Sequence, residues 1–183
     1  VGGGLVGAST ALALARRGKR VVLIERRYCG AQASGVNYGG VRCQGRPAEQ
    51  LPLAMRARRI WDSLVERIGI DGEFVVSGHL RLARSDADLA GLEAYARMAA
   101  EHGLALQLMS GAAFRRRYPW LGAAAVGGSL CPSDGHANPR LVSPAFARAA
   151  RRAGVVVREH AALTHADYDG ERFTMHVGEE TFE

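Results

Sequence analysis

Residues 8–15 are small and apolar apart from Ser9 and Thr10, and after five residues that are basic or glycine comes a second apolar block, Val21 to Ile24. The first block predicts a buried helix, stopped by Arg16, Arg17 and Gly18; the second predicts a short buried strand closed by Glu25. Between 26 and 42 no helical or strand period is visible. From 47 to 68, Leu51, Met55, Ile60, Trp61, Leu64 and Ile68 recur at helical spacing and predict one long amphipathic helix used for packing. Short strands are expected at 73–76 and 79–83. Ser85 followed by Asp88 is a capping box for a helix running to about residue 101. A short helix at 112–117 stops before Pro119, and 126–130 reads as a strand. Asn138 and Pro139 cap and open a helix over 139–153. Val155, Val156 and Val157 then form a parallel-type strand, and 168–177 a hairpin.

Composition narrows the classes. At 183 residues and 48% hydrophobic, the chain has the makeup of a globular protein, which excludes disorder for most of its length. No window reaches the roughly 18 uninterrupted apolar residues of a membrane span. Three cysteines, at 29, 43 and 131, fit neither a disulfide framework nor a zinc site and point to a reducing, cytoplasmic setting. The net charge of +6 says less, because Lys19 is the sole lysine among 24 basic residues. An arginine skew of that kind reflects genome composition, and no nucleic-acid-binding signature accompanies it, so nucleic acid is not an expected partner.

The chemistry-bearing motif stands at the start. Gly2, Gly4 and Gly7 form G-x-G-x-x-G, with Leu5 and Val6 between, directly before the first helix. Such glycines permit a tight turn, a close approach of a pyrophosphate and close packing of helix on sheet. The helix N-terminus adds unpaired N–H groups and the positive end of its dipole. Glu25, at the end of the second strand, has the spacing of a carboxylate that accepts hydrogen bonds from ribose hydroxyls. It would repel a 2′-phosphate, which favours FAD or NAD over NADP. The strand that should precede the glycines is missing but for Val1, so the sequence reads as a fragment cut inside its first β-strand. The long segment after Glu25, rich in small and polar residues, is unlike the quick continuation of an NAD-binding domain. Long structureless loops in compact domains are usually functional, and Ser34 and Asn37 could hydrogen-bond a diphosphate or a ring.

With Gly2/Gly4/Gly7, Glu25-Arg26, Ser34-x-x-Asn37-x-Gly39 and Asp134-Gly135-His136-Ala137-Asn138-Pro139 in order, the sequence resembles the N-terminal half of the flavoproteins related to D-amino-acid oxidase. That group includes glycine oxidases, sarcosine oxidases and bacterial D-amino-acid dehydrogenases. The resemblance implies an α/β fold: a Rossmann-like, glutathione-reductase-type FAD-binding layer at 1–45 and 138–183, with a substrate-side α+β layer at 46–137 inserted into it. It implies FAD as cofactor, held by Gly2, Gly4, Leu5, Val6, Gly7, Glu25, Arg26, Ser34, Asn37, Gly39 and Gly40. It implies oxidation of the C–N bond of a small amine or amino acid to an imine by hydride transfer to the flavin. Oxygen or a respiratory quinone would take the electrons, in the cytoplasm or peripherally at the inner membrane.

No catalytic residue is assigned from the sequence and no metal site is expected. Arg42 could face the flavin and Arg81 a substrate carboxylate, but surface or packing roles are as good for both. Two alternatives stay open: a flavoenzyme acting on a C–O bond, such as that of a 2-hydroxy acid, and a truncated, non-catalytic chain that binds nucleotide weakly. Loss of a central first strand would leave backbone groups unpaired and the chain poorly stable.

Overall fold

A computed structural model describes all of residues 1–183. In chain order the elements are α1 (Leu5–Ala15), β1 (Val22–Ile24), β2 (Gly40–Val41), a 3-10 turn (Ala48–Gln50), α2 (Leu51–Trp61), α3 (Leu64–Ile68), β3 (His79–Ala83) and α4 (Asp86–Glu101). They continue with β4 (Gln107–Ser110), α5 (Gly111–Arg117), β5 (Gly127–Cys131), β6 (Gly135–His136), α6 (Pro139–Arg152), β7 (Val156–Arg158), β8 (Leu163–Tyr168), β9 (Phe173–Val177) and β10 (Glu180–Phe182). The chain folds into two compact units. One holds Val1–Gly39, Leu64–Glu73 and Asn138–Glu183; the other holds Gly40–Ser63 and Phe74–Ala137. The pattern-based boundaries at 45/46 and 137/138 and these units differ in where residues 40–45 and the Leu64–Glu73 segment fall.

In the first unit β1 pairs in parallel with β7, Val22 opposite Val156 and Ile24 opposite Arg158. Helices α1 and α6 pack together through small side chains: Ala8, Ala11, Ala145, Ala149 and Ala150 are all buried. Small residues let two helix axes approach closely, and that brings both helices onto the β1–β7 pair. The stop signals work as the sequence suggests. Past α1, Lys19 N–H reaches the Leu14 carbonyl at 3.1 Å and Gly18 N–H the Ala15 carbonyl at 2.9 Å, with Gly18 in left-handed backbone. At the start of α6 the Asn138 side chain accepts the Arg140 N–H at 3.0 Å, and Pro139 fills the first helical position. β8, β9 and β10 form an antiparallel meander, so the expected hairpin is the centre of a three-stranded sheet.

The second unit is an antiparallel sheet in the order β3-β5-β4, with β2 paired to β6 beside it. Its core joins Cys43, Leu51, Ala99, Leu104 and Cys131, with Met55, Tyr95 and Met98 packed on it. The Ser85 hydroxyl accepts the Asp88 N–H at 3.1 Å and starts α4.

Two expectations need correction, and one strand was not expected. The single helix over 47–68 is broken at Asp62–Ser63, where the Ser63 N–H and hydroxyl both bond the Ile60 carbonyl at 3.2 Å. Serine and aspartate compete for backbone partners in this way and favour helix ends. The strand expected at 73–76 is reduced to a bridge between Val75 and His136, preceded by Glu73 in left-handed backbone. Finally, β4 had no periodic signal because most of its four residues are exposed.

Candidate functional site

The glycine turn sits at the carboxyl end of β1, where ligands bind in open α/β sheets. Gly2 donates to the Ile24 carbonyl at 2.7 Å, which anchors the turn to the strand. A Cβ at Gly7 would overlap the Gly2 carbonyl oxygen, so the first turn of α1 can lie this close to the loop only with glycine there. A Cβ at Gly4 would stand 2.9 Å from the Ser34 hydroxyl oxygen. That oxygen is occupied, because it accepts the Leu5 N–H at 2.9 Å. Ser34, 29 residues away in sequence, therefore caps α1 where Gly4 has no side chain to do it. The next two first-turn N–H groups, of Val6 and Gly7, have no partner within the helix by construction, and Val6 is 80% exposed. Open N–H groups at the positive end of a helix are a seat for an anion.

Glu25 stands beside the turn. One carboxylate oxygen accepts the Gly3 N–H at 2.7 Å and the other the Arg27 N–H at 2.8 Å. A carboxylate has about four lone-pair positions, so each oxygen keeps one for a further donor such as a ribose hydroxyl. Arg26 is exposed next to it. The loop that follows is tied down at several points. Gly30 N–H donates to the Gly3 carbonyl at 3.0 Å, joining loop to turn. Asn37 donates to the carbonyls of Ala33 and Ser34 at 2.8 and 3.1 Å and accepts the Gly39 N–H at 2.8 Å. Both of its N–H donors thus serve its own loop, leaving one lone pair of the amide oxygen for another partner. Gly2, Gly4, Leu5, Val6, Gly7, Glu25, Arg26, Ser34, Asn37 and Gly39 all lie in the first unit; Gly40 opens β2 of the second.

Glu159, which the sequence did not single out, belongs to the same construction. It follows β7 and accepts the Cys29 N–H at 2.7 Å, while Arg151 of α6 donates to its other oxygen at 2.6 Å. Burial and the Glu159 charge push the Cys29 thiol up to about 12. It stays protonated and serves packing. The cue in the sequence was slight: a lone acidic residue after the parallel strand, paired with nothing nearby.

The second unit contains a different polar cluster. Asp134, fully buried, accepts the N–H of Cys43 at 2.7 Å and of Gln44 at 3.0 Å. The buried Gln44 donates to the carbonyls of His79 and Ser129 and accepts the Ser129 hydroxyl at 2.6 Å. Its amide nitrogen also lies 3.1 Å from His79 Nδ1. Burial and then the neighbouring Arg42 cation lower the His79 pKa, which favours the neutral ring. Arg42 donates to the Gln44 carbonyl at 2.7 Å and Arg81 lies 5.9 Å over the Tyr95 ring, so both guanidiniums have partners inside this unit. A cavity of about 310 Å³ in the first unit, lined by Leu12, Arg16, Val65 and Arg152, is far along α1 from the glycine turn. Its Arg16 and Arg152 donate to the Arg67 and Ile68 carbonyls and so close the C-terminus of α3.

The residues around the turn fit a dinucleotide: a cradle that Cβ atoms would fill, open helix N–H groups for a diphosphate, and a carboxylate with spare lone pairs for a ribose. Comparison with known proteins agrees. The sequence pattern of the DAO family, described as FAD dependent oxidoreductase, matches residues 1–182. The chain is 29% identical over 168 residues to glycine oxidase of Geobacillus kaustophilus, covering 87% of this chain and 45% of that protein. It is 28% identical over 165 residues to the formaldehyde-forming 4-methylaminobutanoate oxidase of Paenarthrobacter nicotinovorans, covering 89% of this chain and 20% of that one. The crystal structure of the Geobacillus glycine oxidase superposes with a TM-score of 0.87 at 26% identity, over 99% of this chain and 51% of the other. The chain spans about half the length of the glycine oxidases it matches. No helix is long and apolar enough to cross a membrane.

Proposed function

The chain belongs to the DAO family of FAD dependent oxidoreductases, and from that premise we propose that its first unit is an FAD-binding layer in a protein that oxidises the C–N bond of a small amine or amino acid. The observation that carries the reading is the junction of Gly4, Ser34 and Leu5, where a side chain from a distant loop caps the helix and leaves the Val6 and Gly7 N–H groups open. In this arrangement those N–H groups bind the diphosphate, and Glu25 orients the ribose next to the adenine while Gly3 and Arg27 hold its carboxylate in place. Asn37 keeps the loop from Ala33 to Gly39 in one shape beside the turn. FAD, when bound, supplies the two-electron oxidation of the substrate; the residues described here bind and orient it.

The choice of a C–N substrate rests on the relatives named glycine oxidase and 4-methylaminobutanoate oxidase. The second unit is the substrate-side layer in this reading, and oxygen or a respiratory quinone is the electron acceptor. The test has two parts. Titrating the chain into FAD and following flavin fluorescence should give a saturable change at one FAD per chain; an unchanged signal overturns the cofactor assignment. Incubating the FAD-loaded protein with glycine or sarcosine should bleach the flavin and release ammonia or methylamine. Bleaching by 2-hydroxy acids with no nitrogenous product would replace the C–N reading with C–O oxidation.

A further inference from the structure

Beyond β7 the chain passes through His160, whose backbone is left-handed at φ 57°. That conformation costs an L-residue with a side chain free energy that glycine does not lose, and a residue held there is a reason to ask what its side chain does. His160 is clamped from both sides. Before it, Glu159 is fixed by the Cys29 N–H and Arg151. After it, Ala161 N–H donates to the Glu25 carbonyl at 2.9 Å, and His160 N–H itself donates to the Arg27 carbonyl at 2.7 Å. These bonds lay His160 alongside the backbone of residues 25–27, at the carboxyl ends of β1 and β7. Its side chain is exposed and makes no hydrogen bond, ion pair or ring contact within the chain.

We infer that the His160 imidazole is an adenine-contacting residue: its ring stacks on the adenine of the dinucleotide whose ribose Glu25 binds. The proposal rests on the FAD-binding reading above and adds a residue to it. In this proposal the base attached to a ribose held at Glu25 lies against residues 25–27, beside which the chain carries a flat, unpartnered ring. Its backbone is fixed to the ribose-binding segment by two hydrogen bonds, so the ring is carried in register with the ligand and little is lost in ordering it.

The test compares His160→Gly and His160→Phe in the full chain, with FAD and ADP as ligands and the ligand-free melting temperature as a control. His160→Gly removes the ring and relieves the backbone, so the ligand-free Tm should rise by about 2–4 °C while FAD and ADP each bind about three- to tenfold more weakly. His160→Phe keeps a flat ring and should hold both affinities within about twofold of the wild type. A role in the loop alone would move stability and leave ligand affinity where it was. The inference is overturned if His160→Gly binds both ligands like the wild type, if FAD weakens without ADP, or if His160→Phe loses as much as His160→Gly. A wild-type chain that binds neither ligand overturns the FAD reading itself, and this inference with it.

Discussion

The glycine turn of the first unit and the cluster around Asp134 in the second use the same groups, backbone N–H donors and one carboxylate, and dispose of them in opposite ways. Asp134 is fully buried, and its oxygens take the N–H groups of Cys43 and Gln44; Gln44 in turn satisfies His79 and Ser129. That cluster is closed. At the turn, Glu25 is only partly covered, has one donor on each oxygen, and stands beside helix N–H groups with no intrahelical partner. Buried polar groups must be paired within the fold, whereas a ligand site has to keep pairing capacity in reserve at the surface. The contrast separates a polar cluster that builds the fold from one that waits for a partner, although both would look alike in a tally of polar residues.

The contrast predicts that damage to the closed cluster appears as lost stability and damage to the open one as lost binding. The largest effect is expected for Asp134→Ala. Two buried donors would lose their acceptor, each at roughly 1–3 kcal/mol, so unfolding should become easier by on the order of 3 kcal/mol. A denaturant titration reads this as a lower midpoint at unchanged slope. An unshifted midpoint would mean that water replaces the carboxylate and that the cluster is not closed.

Gly7→Ala comes next. The added methyl overlaps the Gly2 carbonyl oxygen, so helix and turn must move apart, at about 1–3 kcal/mol of strain. The same displacement takes the Val6 and Gly7 N–H groups out of line with the turn. FAD affinity measured by fluorescence should therefore fall by more than stability does. Equal binding by the variant and the parent would remove the turn from the site.

How much of this was legible in the sequence follows from the distance over which each feature is made. The turn, the α1 stop at Gly18, Glu25 and the Asn138 cap are local signals, and each could be read from a few adjacent residues. Ser34 was visible as a polar residue in a long loop, but its bond to the Leu5 N–H spans 29 positions and only the fold reveals it. The bonds from Asp134 to Cys43 and Gln44 span 91 and 90 positions, beyond any periodicity argument. The break in the 47–68 helix was missed for the opposite reason. Apolar spacing continues smoothly through Asp62 and Ser63, while the chain passes there from one compact unit to the other.

Glu25→Gln sharpens the comparison further. The amide keeps the size of the side chain but has one acceptor atom where the carboxylate has two, so either the Gly3 or the Arg27 N–H would face an NH2 group. Loss of a charge-assisted bond to a ribose hydroxyl is worth about 1.5–3 kcal/mol, or at least tenfold in FAD affinity. Only one of the two N–H groups loses its acceptor, and the amide can turn so that it is that of the exposed Arg27, which finds water, so the unfolding midpoint should move far less than for Asp134→Ala. A variant that loses stability and keeps FAD affinity would assign Glu25 to the fold.

The smallest effect concerns Glu159, which stands between the two classes: it holds the loop after Glu25 through the Cys29 N–H, yet its side chain is 26% exposed. Burial pushes its carboxyl up, but the Cys29 N–H and the Arg151 guanidinium together outweigh burial and hold it below the ordinary value of 4.5. A carboxyl whose pKa is lower in the folded state binds its proton more readily when unfolded. Its contribution to stability is therefore complete above the unfolded value and is lost as the pH falls through the folded one. Melting temperatures recorded from pH 7 to below 4 should decline at the acid end, and Glu159→Gln should flatten part of that decline while lowering Tm slightly at pH 7. Because the group is partly solvated, the change should remain well under that of Asp134→Ala. If the acid limb of Glu159→Gln superposes on the parent's, the link from β7 to the loop after Glu25 does not depend on charge, and the Cys29 N–H alone is enough to hold it.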